Sequence, residues 1–219
     1  MQPINRKTEA GFSLVELTIA MVVMLVLMAV VSSLLFRAMS VRTRESQTSD
    51  ALASSQAALN VMSREISNSG FGLFNPATKK ADNGIIVADS DATRIHFRAN
   101  LTNVEDYSAS MNPGQTNDPG EEVTYFHDPD TRSIVRYDPH GTPQTAVVVS
   151  RISEVTFKYW NYSGTGTITS SDVPTADTCR VEITVWVALD PVPGQPDTQR
   201  VEFKSQVNLR NAEYMLRQY

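Results

Sequence analysis

The sequence predicts an α+β chain in which one long N-terminal helix lies against an antiparallel sheet. Three observations carry that expectation. Neither Pro nor Gly occurs between Phe12 and Ser69, so nothing in that stretch breaks a helix. The run from Leu17 to Phe36 is uncharged, and ~20 apolar residues are what a helix needs to cross a bilayer. Beyond Gly72 the apolar residues change from helical spacing to two-residue alternation, the pattern of half-buried strands.

The helix continues past Phe36. Leu52, Ser55, Leu59, Met62 and Ile66 recur at three- and four-residue steps and define one apolar face. Ala51, Ala53, Ala57 and Ala58 add helix propensity, and Gly70 with Gly72 supplies a stop. A helix from about Phe12 to Ser69 would be ~85 Å long. Its first half suits lipid and its second half needs a partner surface. Ser32-Ser33 is the softest point of the apolar half.

The strands follow in order. Residues 84–88 and 93–99 read as short strands about an Asp/Ser turn. Residues 101–120, rich in Asn, Asp, Ser, Pro and Gly, read as a long surface loop. Residues 122–127 and 133–137 flank Asp128-Pro129-Asp130-Thr131, a hairpin turn. Residues 146–149 and 152–161 come next, with Val155, Phe157 and Tyr159 on one face, and residues 163–177 read as another polar loop. Val181, Ile183, Val185, Val187 and Leu189 then alternate with Arg180, Glu182, Thr184, Trp186 and Ala188. Val201, Phe203, Val207 and Leu209 repeat the pattern beyond a Pro-rich turn at 190–197. Such a sheet has one apolar face, and the second half of the helix is its expected cover.

Composition narrows the function classes. Net charge is −5 with no basic run, which argues against direct nucleic-acid binding. Cys179 is the single cysteine of the 219 residues, so neither an internal disulfide nor a cysteine-based zinc site is expected. His96, His127 and His140 share no ligand spacing, and no metal is expected. Asp128-Pro129-Asp130 lacks the further carboxylates that calcium needs and reads as a turn. Tyr159, Trp160 and Tyr162 form an aromatic cluster that suits packing or a partner surface. Cys179 reads as a small apolar residue or an exposed bystander. No nucleotide, hydrolase or metalloprotease motif occurs. No catalytic residue, cofactor or enzyme activity is expected.

One carboxylate stands out. Glu16 sits at the mouth of the apolar run, where a charge costs several kcal/mol. Gly11-Phe12-Ser13-Leu14-Val15-Glu16-Leu17 resembles the processing site of the type IV prepilin and pseudopilin family. Residues 1–11 are polar and carry Arg6 and Lys7, and they precede the apolar run, the reverse of an ordinary secretory signal. The alternative is an uncleaved N-terminal anchor helix. The resemblance implies a cut between Gly11 and Phe12 by a prepilin peptidase, N-methylation of Phe12, and a mature chain whose fifth residue is Glu16. It also implies that Glu16 meets the Phe12 amine of a neighbouring subunit, neutralising two charges and fixing their register. The alternative is that Glu16 merely snorkels to the headgroups.

The resemblance extends further along the chain. Asn60-Val61-Met62-Ser63-Arg64-Glu65-Ile66 with Ser69-Gly70-Phe71-Gly72, and the closing Phe203-Lys204-Ser205-Gln206-Val207-Asn208-Leu209-Arg210-Asn211, resemble minor pilins of the PilW type. J-type pseudopilins of type II secretion share a similar helix end. The family implies a pilin fold, with residues 1–11 as leader, 12–36 as membrane and assembly half, 37–72 as amphipathic half, and 73–219 as a β-rich periplasmic domain. Arg37, Arg42 and Arg44 outnumber Arg6 and Lys7, so the positive-inside rule by itself would put the C-terminal side in the cytoplasm. The resemblance puts it outside. The implied role is a minor pilin in a tip complex that primes pilus polymerisation, with other minor and major pilins and the inner membrane as partners. A J-type pseudopilin, and an anchored adhesin or DNA-uptake module, are the alternatives. The chain lacks a loop disulfide and a Pro near Ser32-Ser33, two features common in that family.

Overall fold

The computed structural model describes residues 11–75, 80–102, 116–162, 164, 166–196 and 199–217. Helix α1, Leu14–Ser67, has 54 residues and is ~80 Å long at the standard rise. Up to Phe36 its side chains are exposed on every face. From Ala51 onward one face is buried, by Ala51, Ser55, Ala58, Leu59, Met62 and Ile66. The expected face included Leu52, but Leu52 is 41% exposed. Ala51 takes the inward position one residue earlier, about 100° round the helix, and its small side chain lets α1 approach the sheet.

Among the described residues ten strands follow, in two four-stranded antiparallel sheets and one small pair, Phe74–Asn75 (β1) with Lys80–Ala81 (β2). The first sheet is a meander of Arg94–Arg98 (β3), Glu122–Asp128 (β4), Ser133–Tyr137 (β5) and Thr145–Ser150 (β6). The second has the order β10-β9-β7-β8, built from Ile152–Tyr162 (β7), Ile168–Ser171 (β8), Thr178–Ala188 (β9) and Arg200–Asn208 (β10). A short helix α2, Glu213–Leu216, ends the described chain. The α+β expectation therefore stands, with the single sheet replaced by two.

Arg151, at φ 65, turns the chain from β6 into β7 and so from one sheet to the other. The stretch of β7 not paired with β8 would be an open edge, a liability in any sheet. Turns flanking the strands of the first sheet reach it: Ile152 N–H donates to Arg132 O at 2.8 Å and Phe157 N–H to Ala92 O at 2.7 Å. Tyr159 O–H reaches Asp91 O and Arg94 O at 2.9 and 3.0 Å. Both sheets and α1 share one core, with Met62, Ile66, Ile95, Tyr125, Tyr159, Val181 and Ile183 fully buried. Each such large side chain contributes ~1.5–3 kcal/mol by leaving water.

Two expectations change here. Residues 84–88 do not form a strand. Ile85 makes a single bridge to Phe97, and Val87–Asp89 coils into a 3-10 turn where the Asp89 carboxylate holds Arg94 at 2.9 Å. The stretch 163–177 contains β8, whose Thr169, Ser170 and Ser171 show no apolar alternation and pair through backbone with β7. Of the expected loop at 101–120, residues 103–115 lie outside the described residues, and the rest is non-strand.

The end of α1 is locked by close backbone contact. Gly70 and Gly84 both have positive φ, 78° and 75°. A Cβ on Gly70 would collide with Asp82 O, and one on Gly84 with Gly70 N and Arg98 O. Only glycine meets both demands.

Candidate functional site

The residues singled out at the N-terminus stand together at the free end of α1. Gly11 and Phe12 precede the helix, and Phe12 is 90% exposed. Ser13 is the N-cap in extended conformation. Its Oγ accepts from Val15 N–H at 3.3 Å, and its own N–H donates to Glu16 Oε2 at 3.0 Å. This is a capping box, which satisfies two backbone donors the helix would otherwise leave bare. The carboxylate also lies at the positive end of the helix dipole. The expectations for Glu16 were a neighbouring subunit's amine or the headgroups, so the contact within its own chain is new. Its signal was in the sequence as Ser-x-x-Glu. Residues 1–10 of the expected leader lie outside the described residues.

Below the cap, Thr18 Oγ1 returns its proton to Leu14 O and Val15 O, and Ser33 Oγ to Val30 O at 2.8 Å. The hydroxyls thus spend their hydrogen bonds on their own helix. By length and composition this helix can cross a membrane.

The two segments that carry the finer resemblance adjoin in space. Ser63 Oγ and Ser205 Oγ are 3.1 Å apart, and Arg210 N–H donates to Ser67 O at 3.3 Å. Asn211 Nδ2 donates to Asn68 O and Ser69 O at 3.3 and 3.1 Å. Ser69 Oγ in turn donates to Asn83 O at 2.6 Å. Asn83 Nδ2 reaches Thr175 O, Ala176 O and Thr178 O at 3.0–3.1 Å. The last carbonyl of α1, Ser67 O, and the next two, Asn68 O and Ser69 O, thus accept from Arg210 and Asn211 just beyond β10, and these bonds hold the helix in one orientation to the sheet.

A second tie lies in the last turn of α1. Glu65 Oε2 accepts from Tyr125 O–H at 2.7 Å and from Arg136 Nε at 3.0 Å. Arg136 also meets Asp138 at 3.1 Å. Burial and the Glu65 charge both push the Tyr125 hydroxyl pKa up, so it remains a donor. A third tie is Arg44, buried, whose guanidinium donates to Asp190 O and Pro196 O at 3.1 and 3.2 Å. Arg44 entered the sequence reading only as charge beside the apolar run; its partner carbonyls lie about 150 positions away and carry no local signal.

The remaining candidates hold structural places. His96 lies between Asp89 Oδ2 and Glu122 Oε1, at 2.8 and 3.1 Å, with His140 3.8 Å from Glu122. Burial opposes ionisation of Asp89, yet hydrogen bonds from His96 and Arg94 outweigh it and hold the carboxyl below its ordinary value. His127 contacts Ile152 O at 3.2 Å. Among the described residues no group of three or more His, Cys, Asp or Glu side chains is arranged to hold a metal ion. Asp128 accepts from Thr131 Oγ1 at 2.7 Å and from Asp130 N–H at 3.0 Å, and so builds the turn. The aromatic cluster divides: Tyr159 is in the core, Trp160 faces away from it, and Tyr162 packs on Tyr214 at 4.2 Å. Cys179 is buried and its thiol pKa is pushed up by burial, so it is the small core residue rather than the exposed bystander.

Residues 6–32 match the prokaryotic N-terminal methylation motif, a span that includes the Gly11–Phe12 bond, Glu16 and most of the apolar run. No curated protein and no solved structure matches the chain. The motif implies processing by prepilin peptidase and assembly with other pilins, and it suggests a structural subunit rather than an enzyme. The apolar helix beneath it is compatible with membrane anchoring and with a pilus. The motif indicates a type IV pilin or pseudopilin-like protein, and the long apolar helix followed by antiparallel sheets is consistent with a pilin fold.

Proposed function

We propose that this chain is a minor pilin, resembling the PilW type, that joins a tip complex priming type IV pilus polymerisation. One observation carries the reading: among the described residues the apolar half of α1 has no partner, and Glu16 stands at its head. Prepilin peptidase cuts between Gly11 and Phe12 and methylates the new Phe12 amine. The mature subunit waits in the inner membrane with its β domain in the periplasm, then moves into the pilus with other minor and major pilins. An assembly ATPase elsewhere in the machine supplies the energy.

In that lipid-like setting an unpaired carboxylate or amine is costly, and pairing the two removes most of the cost. The capping box gives Glu16 a holding place before assembly. The carboxylate rests on the Ser13 amide, one residue from the Phe12 amine, until a neighbour's amine replaces or joins that contact. The closing contacts between 60–72 and 203–211 support the PilW likeness, and the lack of a loop disulfide fits a minor rather than a major subunit. The J-type pseudopilin is the second reading, favoured by the same helix end at Ser69–Gly72.

The first test is the N-terminal residue and intact mass of protein recovered from membranes with and without prepilin peptidase. N-methylated Phe12 only with the peptidase is the expected result; Met1 in both samples would falsify the reading. Glu16→Gln then separates capping from pairing. Glutamine still accepts from the Ser13 amide but carries no charge, so processing should persist while incorporation into pili falls. Normal incorporation of Glu16→Gln would reject the pairing. Deletion that abolishes pili supports the pilus, whereas lost exoprotein secretion with intact pili assigns the pseudopilus.

A further inference from the structure

Where the apolar run of α1 ends, the β domain comes down to meet it. The turn joining β9 to β10 is drawn onto the helix by Arg44, through the Asp190 and Pro196 carbonyls. Between turn and helix lies a crevice of about 630 Å³, lined by Phe36, Arg37, Val41, Pro193, Gly194 and Gln195. Its size is that of an ordinary small-ligand site.

We propose that this crevice binds the headgroup of an anionic phospholipid. The proposal rests on the membrane-anchored reading of α1 and adds a ligand to it. Three features select that occupant. Phe36 closes the apolar run and also lines the crevice, so lipid-facing surface continues into it without a break. Arg37 is exposed, and among the described residues it has no carboxylate partner. A guanidinium on an apolar wall fits a phosphate whose first acyl carbons lie alongside it. Depth agrees as well. Arg37 is one residue, ~1.5 Å, beyond the span, inside a headgroup layer that is ~5–7 Å thick on each side. Arg42, also exposed and without an ion pair among the described residues, stands ~9 Å beyond Phe36 and adds positive potential above the same layer.

The buried Arg44 makes this a built crevice. Without it the turn would be held to α1 only by its flanking strands. With it, one arginine shapes the wall and its neighbour seven positions earlier on the helix meets the ligand.

The test uses the full chain carrying a fluorophore at Gln195→Cys, reconstituted in nanodiscs. Cys179 is buried and does not take the label. Quenching is compared between lipids with a nitroxide on an anionic headgroup and on a zwitterionic one, at equal mole fraction. The expected result is about five-fold stronger quenching by the anionic lipid, the effect of one arginine near an anionic surface. Arg37→Gln should erase the preference, and Arg64→Gln, at the other end of α1, should keep it. Equal quenching by both lipids in inserted protein, unchanged by Arg37→Gln, overturns the crevice proposal and leaves the anchor standing. Protection from both lipids, with label-to-label contact between copies, assigns the crevice to a second subunit instead. Release of the chain by alkaline extraction overturns the anchor and the proposal together.

Discussion

The two halves of α1 share one unbroken backbone and opposite surroundings. Met28 and Met62 make the point with a single residue type: the first is 70% exposed and the second 0%. Below Phe36 the helix is apolar on all sides and is uncovered by the other described residues. Above Ala51 it is apolar on one face only, and that face is covered by β6, β9 and β10. A helix apolar all round belongs in lipid or among other helices, whereas an amphipathic one belongs on a domain surface. The lesson is that one half is stabilised within the molecule, while the other finds no cover among the described residues and has the length and composition to cross a membrane.

The largest effect that sharpens this comparison is Met62→Ala. A fully buried methionine lost from the core should cost ~2–5 kcal/mol in chemical denaturation of the detergent-solubilised chain. Met28→Ala in the same assay should leave the β domain unchanged. A comparable loss from Met28→Ala would break the division of labour between the halves. Next comes Arg44→Ala, at the boundary. It removes two charge-assisted hydrogen bonds to carbonyls, each ~1.5–3 kcal/mol at most, and should lower the midpoint while freeing the 190–196 turn to proteolysis.

Acid should then loosen the first sheet before it affects the membrane half. Asp91 is held below its ordinary value of 3.8, first by the Thr93 amide, and Asp89 is shifted the same way. Their folded forms therefore bind fewer protons than the unfolded chain near pH 4, so the stability they add is present above 3.8 and lost as pH falls through the folded values. Melting temperature measured against pH should fall less steeply in Asp91→Asn than in the parent chain. The smallest effect is at Ser55, fully buried with its Oγ unpartnered among the described residues. Ser55→Ala should change stability by less than about 0.5 kcal/mol, or raise it, because no hydrogen bond is lost. A loss above ~1 kcal/mol would reveal an unseen partner for that hydroxyl.

The legible parts of this molecule are those written locally. The alternation from Val181 to Leu189 marks β9, since side chains two apart share a face whatever lies opposite. The gap without Pro or Gly marks α1, and Ser13-x-x-Glu16 marks its cap, because a helix terminus is satisfied by residues within one turn. The same shortness of range makes the candidate site readable: Gly11, Phe12 and Glu16 form a motif six residues long.

Other features were settled only when distant segments met. Ala51 rather than Leu52 turns inward because strands β6, β9 and β10, formed by residues far later in the chain, set the rotation of α1. Strand β8 exists because β7 offers it a backbone edge, and no apolar pattern of its own announces it. Arg44 finds its carbonyls 146 and 152 residues away, and Asn83 bonds carbonyls 92 to 95 residues away. Sequence alone therefore determined the helix, its cap, the apolar run and the alternating strands, all products of short-range sterics and periodic burial. Tertiary structure alone decided the two-sheet topology, the clasp at Arg44 and the crevice beside Arg37, because each needs a hydrogen bond or contact whose partner is remote in the chain.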